Sequence, residues 1–437
     1  MPVFSSLQKW LQTVPQWFIA VYAALCSFCV YFSMYAFRKP FTAAGFEGEY
    51  FLNIDYKVWL VTAQVIGYML SKFYGIKYIS SISKEKRAGA IVKLILTSWL
   101  ALLLFAITPA PYNIIFLLIN GFPLGMVWGL VFGFLEGRKQ TEFMGAVLAV
   151  SFIFSSGVVK SVGKSLILNQ HVSEMWMPFL TGALFVLPMI LFTWLLNHLP
   201  PPTEADIALR SVRKPMTQHE RKSFLAMFLP GIIMIVATYV LLTVLRDFRD
   251  NFANEIWAEL GFKDQASIFT KTEIPVSLIV LLSMSLLIIV KDNIKAFMIN
   301  HYIILVGYVL ALVSTLLFQN HYISAVTWMI LIGTGLYLSY VPFNALYFER
   351  MIASYKIRGN VGFIMYIADA FGYLGSVVVL FVKQFFGLHV SWTTFFVNAV
   401  LIICTFGIAG TIAAAIYFRN KHYSGQRNIH TVYAEVI

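Results

Sequence analysis

The sequence predicts an all-α integral membrane protein, with twelve transmembrane helices in two six-helix pseudo-symmetric bundles. Three observations predict it. Of 437 residues, 59% are hydrophobic and 12% charged, against about 25% charged in a soluble domain; mean hydropathy is +0.77. Some twelve apolar runs each reach the roughly 20 residues needed to cross hydrocarbon. The runs fall six and six around Leu199–Ser223, a break with Pro200, Pro201 and Pro202 in succession and then mixed charges around Pro215.

The runs cover 17–37, 57–76, 88–108, 113–135, 143–168 and 176–198, then 224–245, 272–290, 298–318, 323–347, 359–386 and 391–418. Their length reads as helix rather than strand. The first is too long, and too soon followed by others, for a cleaved signal peptide, so it is expected to stay as the first helix. The domains expected are an N-terminal bundle (1–198), a cytoplasmic linker (199–223), a C-terminal bundle (224–418) and a cytoplasmic tail (419–437).

Charge orients the spans. Basic residues gather in alternate loops: Lys84, Lys86 and Arg87; Arg138 and Lys139; Arg210, Arg213, Lys214, Arg221 and Lys222; Lys291 and Lys295; Arg350, Lys356 and Arg358; Arg419, Lys421 and Arg427. The loops between are short and nearly neutral, or mixed with acids (Glu47–Asp55 and Asp247–Asp264). Such asymmetry places basic loops in the cytoplasm, with both termini, and predicts a multi-pass protein of the cell (inner) membrane. The net charge of +12 is thereby explained without nucleic acid. Cys26, Cys29 and Cys404 all lie inside apolar runs and read as packing residues.

The informative polar residues sit at matched positions. Arg38 ends the first run and Arg246 the seventh. Each follows a tyrosine by seven residues (Tyr31, Tyr239) and a hydroxyl by three (Tyr35, Thr243), spacings that lie on one helical face. An arginine within a span is costly and marks a pathway or a binding site; the planar guanidinium donates paired hydrogen bonds to phosphate and stays charged. Lys160 and Lys164 share a face of the fifth run with Ser156, and need either an acidic partner from another helix or an anionic ligand. Lys72 lies in the second run, and Asp369, mid-depth in the eleventh, needs a partner. Lys39, Asp247, Arg249 and Asp250 are expected on the rim. Tyr68, Trp128 and Asn344 are candidate wall residues. Glu136 with Arg138, and Glu349 with Arg350, end the fourth and tenth runs and are candidate gating residues.

The second echo between the halves, Phe134-Leu135-Glu136-Gly137-Arg138 against Tyr347-Phe348-Glu349-Arg350, is followed each time by a small-residue span: Gly145, Ser155, Ser156 and Gly157 in one half, Gly359, Gly362, Gly372 and Gly375 in the other. Such small residues permit close helix approach. Two parallel six-helix repeats are the plan of the major facilitator superfamily. Within it the chain resembles the organophosphate:phosphate antiporters. Tyr35-Ala-Phe-Arg38-Lys39-Pro40 resembles their first-helix pattern. Gln64-x-x-Gly67-Tyr68-x-x-Ser71-Lys72-Phe73 resembles their second-helix signature, and Asp369 to Gly375 their eleventh helix. The resemblance implies that Arg38 and Arg246 grip a phosphoryl group and that Lys72 lines the cavity. Two departures point to a divergent subfamily: Ser83-Lys84-Glu85-Lys86-Arg87 replaces the family's Asp-Arg loop pair, and the paired lysines of the fifth helix are not a family hallmark.

The expectation is a secondary transporter and not an enzyme: there is no phosphate loop of the ATPase type, no metal-ligand cluster, no nucleophile–base pair and no implied cofactor. Its cargo is expected to be a small organic anion, phosphorylated and exchanged for inorganic phosphate by alternating access, with substrate bound by Arg38, Arg246, Lys72, Lys160, Lys164, Tyr31, Tyr35, Tyr68, Tyr239 and Asp369. Membrane lipid and a monomeric state complete the expected partners. A proton-coupled carrier of a non-phosphorylated solute, with Asp369 as proton carrier, and a transporter-like sensor of phosphate esters are the alternatives.

Overall fold

A computed structural model describes residues 2–204, 206, 218–355, 362–385 and 390–434. Arg210, Arg213 and Lys214 of the central loop, and Lys356, Arg358 and Gly359, lie outside the described residues. Fifteen helices are seen among those described: α1 Pro2–Thr13, α2 Gln16–Tyr35, α3 Tyr56–Ser81, α4 Lys84–Ile107, α5 Ile114–Leu135, α6 Thr141–Gln170, α7 Met177–Asn197, α8 Gln218–Asn251, α9 Ala253–Glu259, α10 Ile268–Ile289, α11 Asn293–Gln319, α12 Ala325–Pro342, α13 Phe348–Ser354, α14 Gly362–Phe385 and α15 Trp392–Ala434. A two-stranded hairpin, Tyr50–Phe51 with Ile54–Asp55, precedes α3. The short helix α1 was not foreseen.

A long helix stands at each of the twelve expected spans. Ten of them are long and apolar enough to cross a membrane, and the chain is a multi-pass membrane protein. The other two, α3 and α14, carry charged residues within the span: Lys72, singled out in sequence, and Lys57 on α3, and Asp369, also singled out, and Lys383 on α14.

Two compact units are formed. The first comprises Met1–Ser211, Asp247–Leu282 and Ser376–Phe396, and the second Val212–Arg246, Ser283–Gly375 and Val397–Ile437. In the first, α3 packs on α5, α4 on α5 and α7, and α2 on α6 and α7; in the second, α11 packs on α12 and α13. Glycine sets the closest approach in each. A β-carbon on Gly67 would lie 2.1 Å from the Leu118 carbonyl oxygen, and one on Gly121 2.2 Å from that of Gln64. Gly307 and Gly335 are reciprocal in the same way, at 2.4 and 2.5 Å from each other's carbonyl oxygens. Backbones in such contact gain dispersion that larger residues would exclude.

The seventh span is longer than the sequence suggested. Its apolar run stops at Leu245, but α8 continues to Asn251. Charged residues there remain helical because they have buried partners. Lys39, Asp247, Arg249 and Asp250 are accordingly not on a rim: Lys39 is 4% exposed and Arg249 3%.

Candidate functional site

Within the first unit, α2 ends at Tyr35 and the chain turns through Arg38 and Lys39 into a short 3-10 turn, Pro40–Ala43. The carbonyls at this end lack helical partners and take side-chain donors instead. Gln64 Nε2 donates to the Arg38 carbonyl at 2.9 Å and to Asn120 Oδ1 at 2.8 Å. Asn120 Nδ2 in turn donates to the Phe37 carbonyl at 2.9 Å and the Ser98 carbonyl at 3.0 Å. The backbone bearing Arg38 is thus pinned from α3 and α5.

The Arg38 guanidinium carbon lies 4.0 Å from the centroid of the Tyr68 ring and 5.7 Å from that of Tyr35. Lys72 approaches the same Tyr68 ring at 5.0 Å. Tyr31 and Tyr35 meet edge to face at 5.5 Å, and both are buried. Beside Lys72, four positions of the second-helix signature have a physical part. Gln64 holds the Arg38 carbonyl, Gly67 admits α5, Tyr68 receives Arg38, and Ser71 Oγ donates to the Tyr68 carbonyl at 2.7 Å. Two cations against one aromatic ring concentrate positive potential where an anion would be attracted.

The second unit holds the matching cluster. The Arg246 guanidinium carbon lies 4.1 Å from the Tyr340 ring centroid. Tyr340 stacks on Tyr239 at 5.3 Å between centroids, their hydroxyls are hydrogen bonded at 3.0 Å, and the Tyr239 hydroxyl also bonds the Asp369 carboxylate. Gly372 and Gly375 bring α14 onto α8; a β-carbon on Gly372 would lie 2.9 Å from Thr243 Oγ1. A π-helical turn, Phe343–Tyr347, follows Tyr340, an irregularity frequent at functional sites. Tyr340 went unnoticed in sequence: its only signal is a tyrosine on a buried span, which is also what packing looks like.

The fifth-span lysines have protein partners. Lys160 Nζ pairs with Asp250 Oδ1 at 2.6 Å and donates to the Asp250 carbonyl at 2.8 Å. Ser156 Oγ donates to the same carboxylate at 2.5 Å, and Lys39 pairs with its other oxygen. Lys39 also donates to Asn251 at 2.7 Å, and Lys164 to Asn254 at 2.9 Å. The structure thus supplies an acidic partner for Lys160 and an amide for Lys164. Nearby, Lys57 donates to the Thr42 and Ala44 carbonyls, both at 2.8 Å, and pairs with Glu255 at 2.5 Å; Arg249 pairs with Glu273 at 2.7 Å. Burial outweighs the attraction of Asp250 at Lys39, and with the like charges of Arg38 and Lys160 it draws that ammonium down to about 8.

Among the candidate gating residues, Arg138 donates to the Pro200 carbonyl and lines a cavity of about 290 Å³ with Lys139 and Asp206. Arg350 Nη1 donates to Asn293 Oδ1 at 2.8 Å. Glu136 is exposed and Glu349 partly buried. Trp128 stacks on Phe132 at 5.0 Å, and Asn344 donates weakly to the Tyr340 carbonyl at 3.4 Å.

Comparison with known proteins bears on family and fold. A family of unknown function (DUF5690) matches residues 40–421. No curated protein matches the sequence. The crystal structure of nucleoside transporter NupG, a major facilitator superfamily protein, is similar at TM-score 0.57 and 16% identity, over 92% of this chain and 98% of that one. A single-residue variant of NupG is similar at TM-score 0.57 and 15% identity, over 92% and 99%. The chain has the major facilitator fold.

Proposed function

The chain belongs to the DUF5690 family; that family carries no assigned activity, so we propose a function from the site itself. The protein is a secondary transporter of a small organic anion working by alternating access between two six-helix halves. The observation that carries this reading is the repeated cationic cluster. In one unit Arg38 and Lys72 flank the ring of Tyr68, and in the other Arg246 stacks on Tyr340. A guanidinium presents paired, coplanar N–H donors and stays charged, and phosphate and carboxylate fit that geometry. We assign anion recognition to Arg38 and Arg246, with Lys72 adding charge.

A phosphorylated metabolite exchanged for inorganic phosphate is the leading cargo. Fixed cations in low dielectric are costly without a counter-charge, so the empty carrier should reorient slowly and exchange should exceed net flux. A second reading is proton-coupled uptake of a non-phosphorylated solute. It is favoured by the Tyr239–Asp369 contact and by the fold's likeness to a nucleoside transporter. Purified protein in liposomes separates them. Phosphate-loaded vesicles should take up labelled phosphate or phosphate esters by exchange, whereas solute entry that dissipates a pH gradient without phosphate exchange would replace the first reading by the second.

A further inference from the structure

The cavity of about 290 Å³ beside the α5–α6 loop has no part in the transport reading. Its walls include Gln16, Ile19 and Ala20 of α2, Arg138 and Lys139 of the loop, and Asp206. The charges there are not matched. Asp206 is buried, and both of its oxygens are engaged. Oδ1 accepts from the Lys139 backbone N–H at 2.8 Å, and Oδ2 from the Thr203 N–H at 2.9 Å and the Thr203 hydroxyl at 2.8 Å. The carboxylate is thereby spent on tying the loop to the chain beyond α7.

Arg138 donates one side-chain hydrogen bond among the described residues, to the Pro200 carbonyl, although a guanidinium has five N–H donors. Its buried Nε–H has no partner among those residues. Such a donor is costly unless something accepts from it. Burial opposes the Arg138 charge, and Asp206 favours it from a distance. Lys139 is exposed at the mouth. Residues 207–217, next along the sequence, contain Arg210, Arg213 and Lys214 and no acid, so they bring no counter-charge.

Position indicates the kind of anion. The cavity lies at the first turn of α2, which begins at Gln16. Trp17 is 62% exposed, and Val21 and Leu25 are exposed as well. At steps of four these three form an apolar stripe down the span, on the face adjoining Gln16 and Ala20. Exposed apolar residues on a span meet acyl chains, and tryptophan at a span end marks headgroup level. The two cations therefore stand at the depth of lipid phosphates, beside a track for hydrocarbon.

We propose that this cavity binds the phosphate of an anionic phospholipid, held by Arg138 and Lys139, with an acyl chain along Trp17, Val21 and Leu25. Basic pockets at the ends of spans recognise such headgroups. A zwitterionic headgroup would bring its own cation to the two already there, so it should bind less well. The site involves none of Arg38, Lys72 and Arg246, and it stands or falls apart from the anion-carrier reading. A soluble phosphate ester has the same recognisable group, and the test separates the two sources.

Native mass spectrometry of the purified full chain, offered equal amounts of phosphatidylglycerol and phosphatidylcholine, counts the lipids retained. The wild type should retain phosphatidylglycerol preferentially. Lys139→Gln removes a charge whose side chain has no hydrogen bond to lose among the described residues, so the fold should survive. It should cut the preference about fivefold, the worth of one cation near an anionic headgroup. Arg138→Gln should cut it at least as far. Ala20→Leu narrows the cavity without changing charge and should also lower phosphatidylglycerol retention. No preference in the wild type, or one unchanged in Lys139→Gln, overturns the proposal. Retention unchanged in Ala20→Leu overturns the cavity as its place. The second arm measures binding of labelled glycerol phosphate. Binding that Lys139→Gln abolishes and Arg38→Lys spares, with no lipid preference in the wild type, would make the ligand a soluble ester and overturn the lipid assignment.

Discussion

Replacing Asp250 by asparagine removes a carboxylate that two buried ammonium groups share. Lys160 sits 2.6 Å from one oxygen and Lys39 contacts the other, with 2% and 4% of the two lysines exposed. At an effective dielectric of about 20, a contact of that length is worth roughly 6 kcal/mol before desolvation. Loss of a partner from a buried pair costs about 3–5 kcal/mol, since the remaining charge stays buried. Lys160→Met leaves Asp250 still paired with Lys39 and bonded by Ser156, so it should cost less, about 1–3 kcal/mol. Removing all three charges together, with Asp250→Leu, Lys160→Met and Lys39→Met, should recover most of the loss, because a packed apolar cluster can match a buried ion triad. The assay is the midpoint of detergent-driven unfolding in mixed micelles. A Lys160→Met protein as unstable as Asp250→Asn, or a triple variant weaker than either, would refute the shared-carboxylate reasoning.

Further outcomes follow from the same geometry. Lys39 titrates near 8 when folded against an ordinary 10.5. The unfolded chain therefore binds more protons between those values, and this group makes stability rise with pH across that window; Lys39→Met should flatten the rise in pH-resolved unfolding curves. Gly121→Leu should prevent accumulation of folded protein, because its β-carbon would meet the Gln64 carbonyl oxygen at 2.2 Å, whereas Gly89→Leu, with nothing within 4 Å, should fold normally by size-exclusion profile. The exposed pair Glu47–Lys263 at 2.8 Å should be worth about 0–1 kcal/mol. Lys263 holds the Glu47 carboxyl below its usual range, so that small contribution should be present at neutral pH and disappear on acidification through the carboxylate's titration.

Much of this was legible in sequence, for identifiable reasons. Apolar length alone located the helices, since hydrocarbon thickness fixes how many residues a span requires. Arg38 and Arg246 stood out because a charge adjoining an apolar span is costly unless it has a role and because theirs recur with the same upstream tyrosine. The motif around Gln64 pointed to a cluster in which the structure finds Tyr68 beneath Arg38 and beside Lys72. The Asp250 network was not legible. Lys160 lies 90 residues from Asp250 in the chain and Lys39 farther still, and no local spacing encodes which lysine meets which carboxylate. The same ignorance hid the last turns of α8, because Asp247, Arg249 and Asp250 look like a solvated loop until their buried partners are known. Tyr340 escaped because ring stacking on a guanidinium leaves no periodic signature.

The most direct measurement compares labelled phosphate uptake into phosphate-loaded proteoliposomes for the wild type, Arg38→Lys and Arg246→Lys. Lysine keeps the charge but loses the planar paired donors. The account predicts exchange by the wild type and a fall of about tenfold to a hundredfold in each variant, the loss of one or two charge-assisted hydrogen bonds. Exchange that survives undiminished in either variant would contradict it.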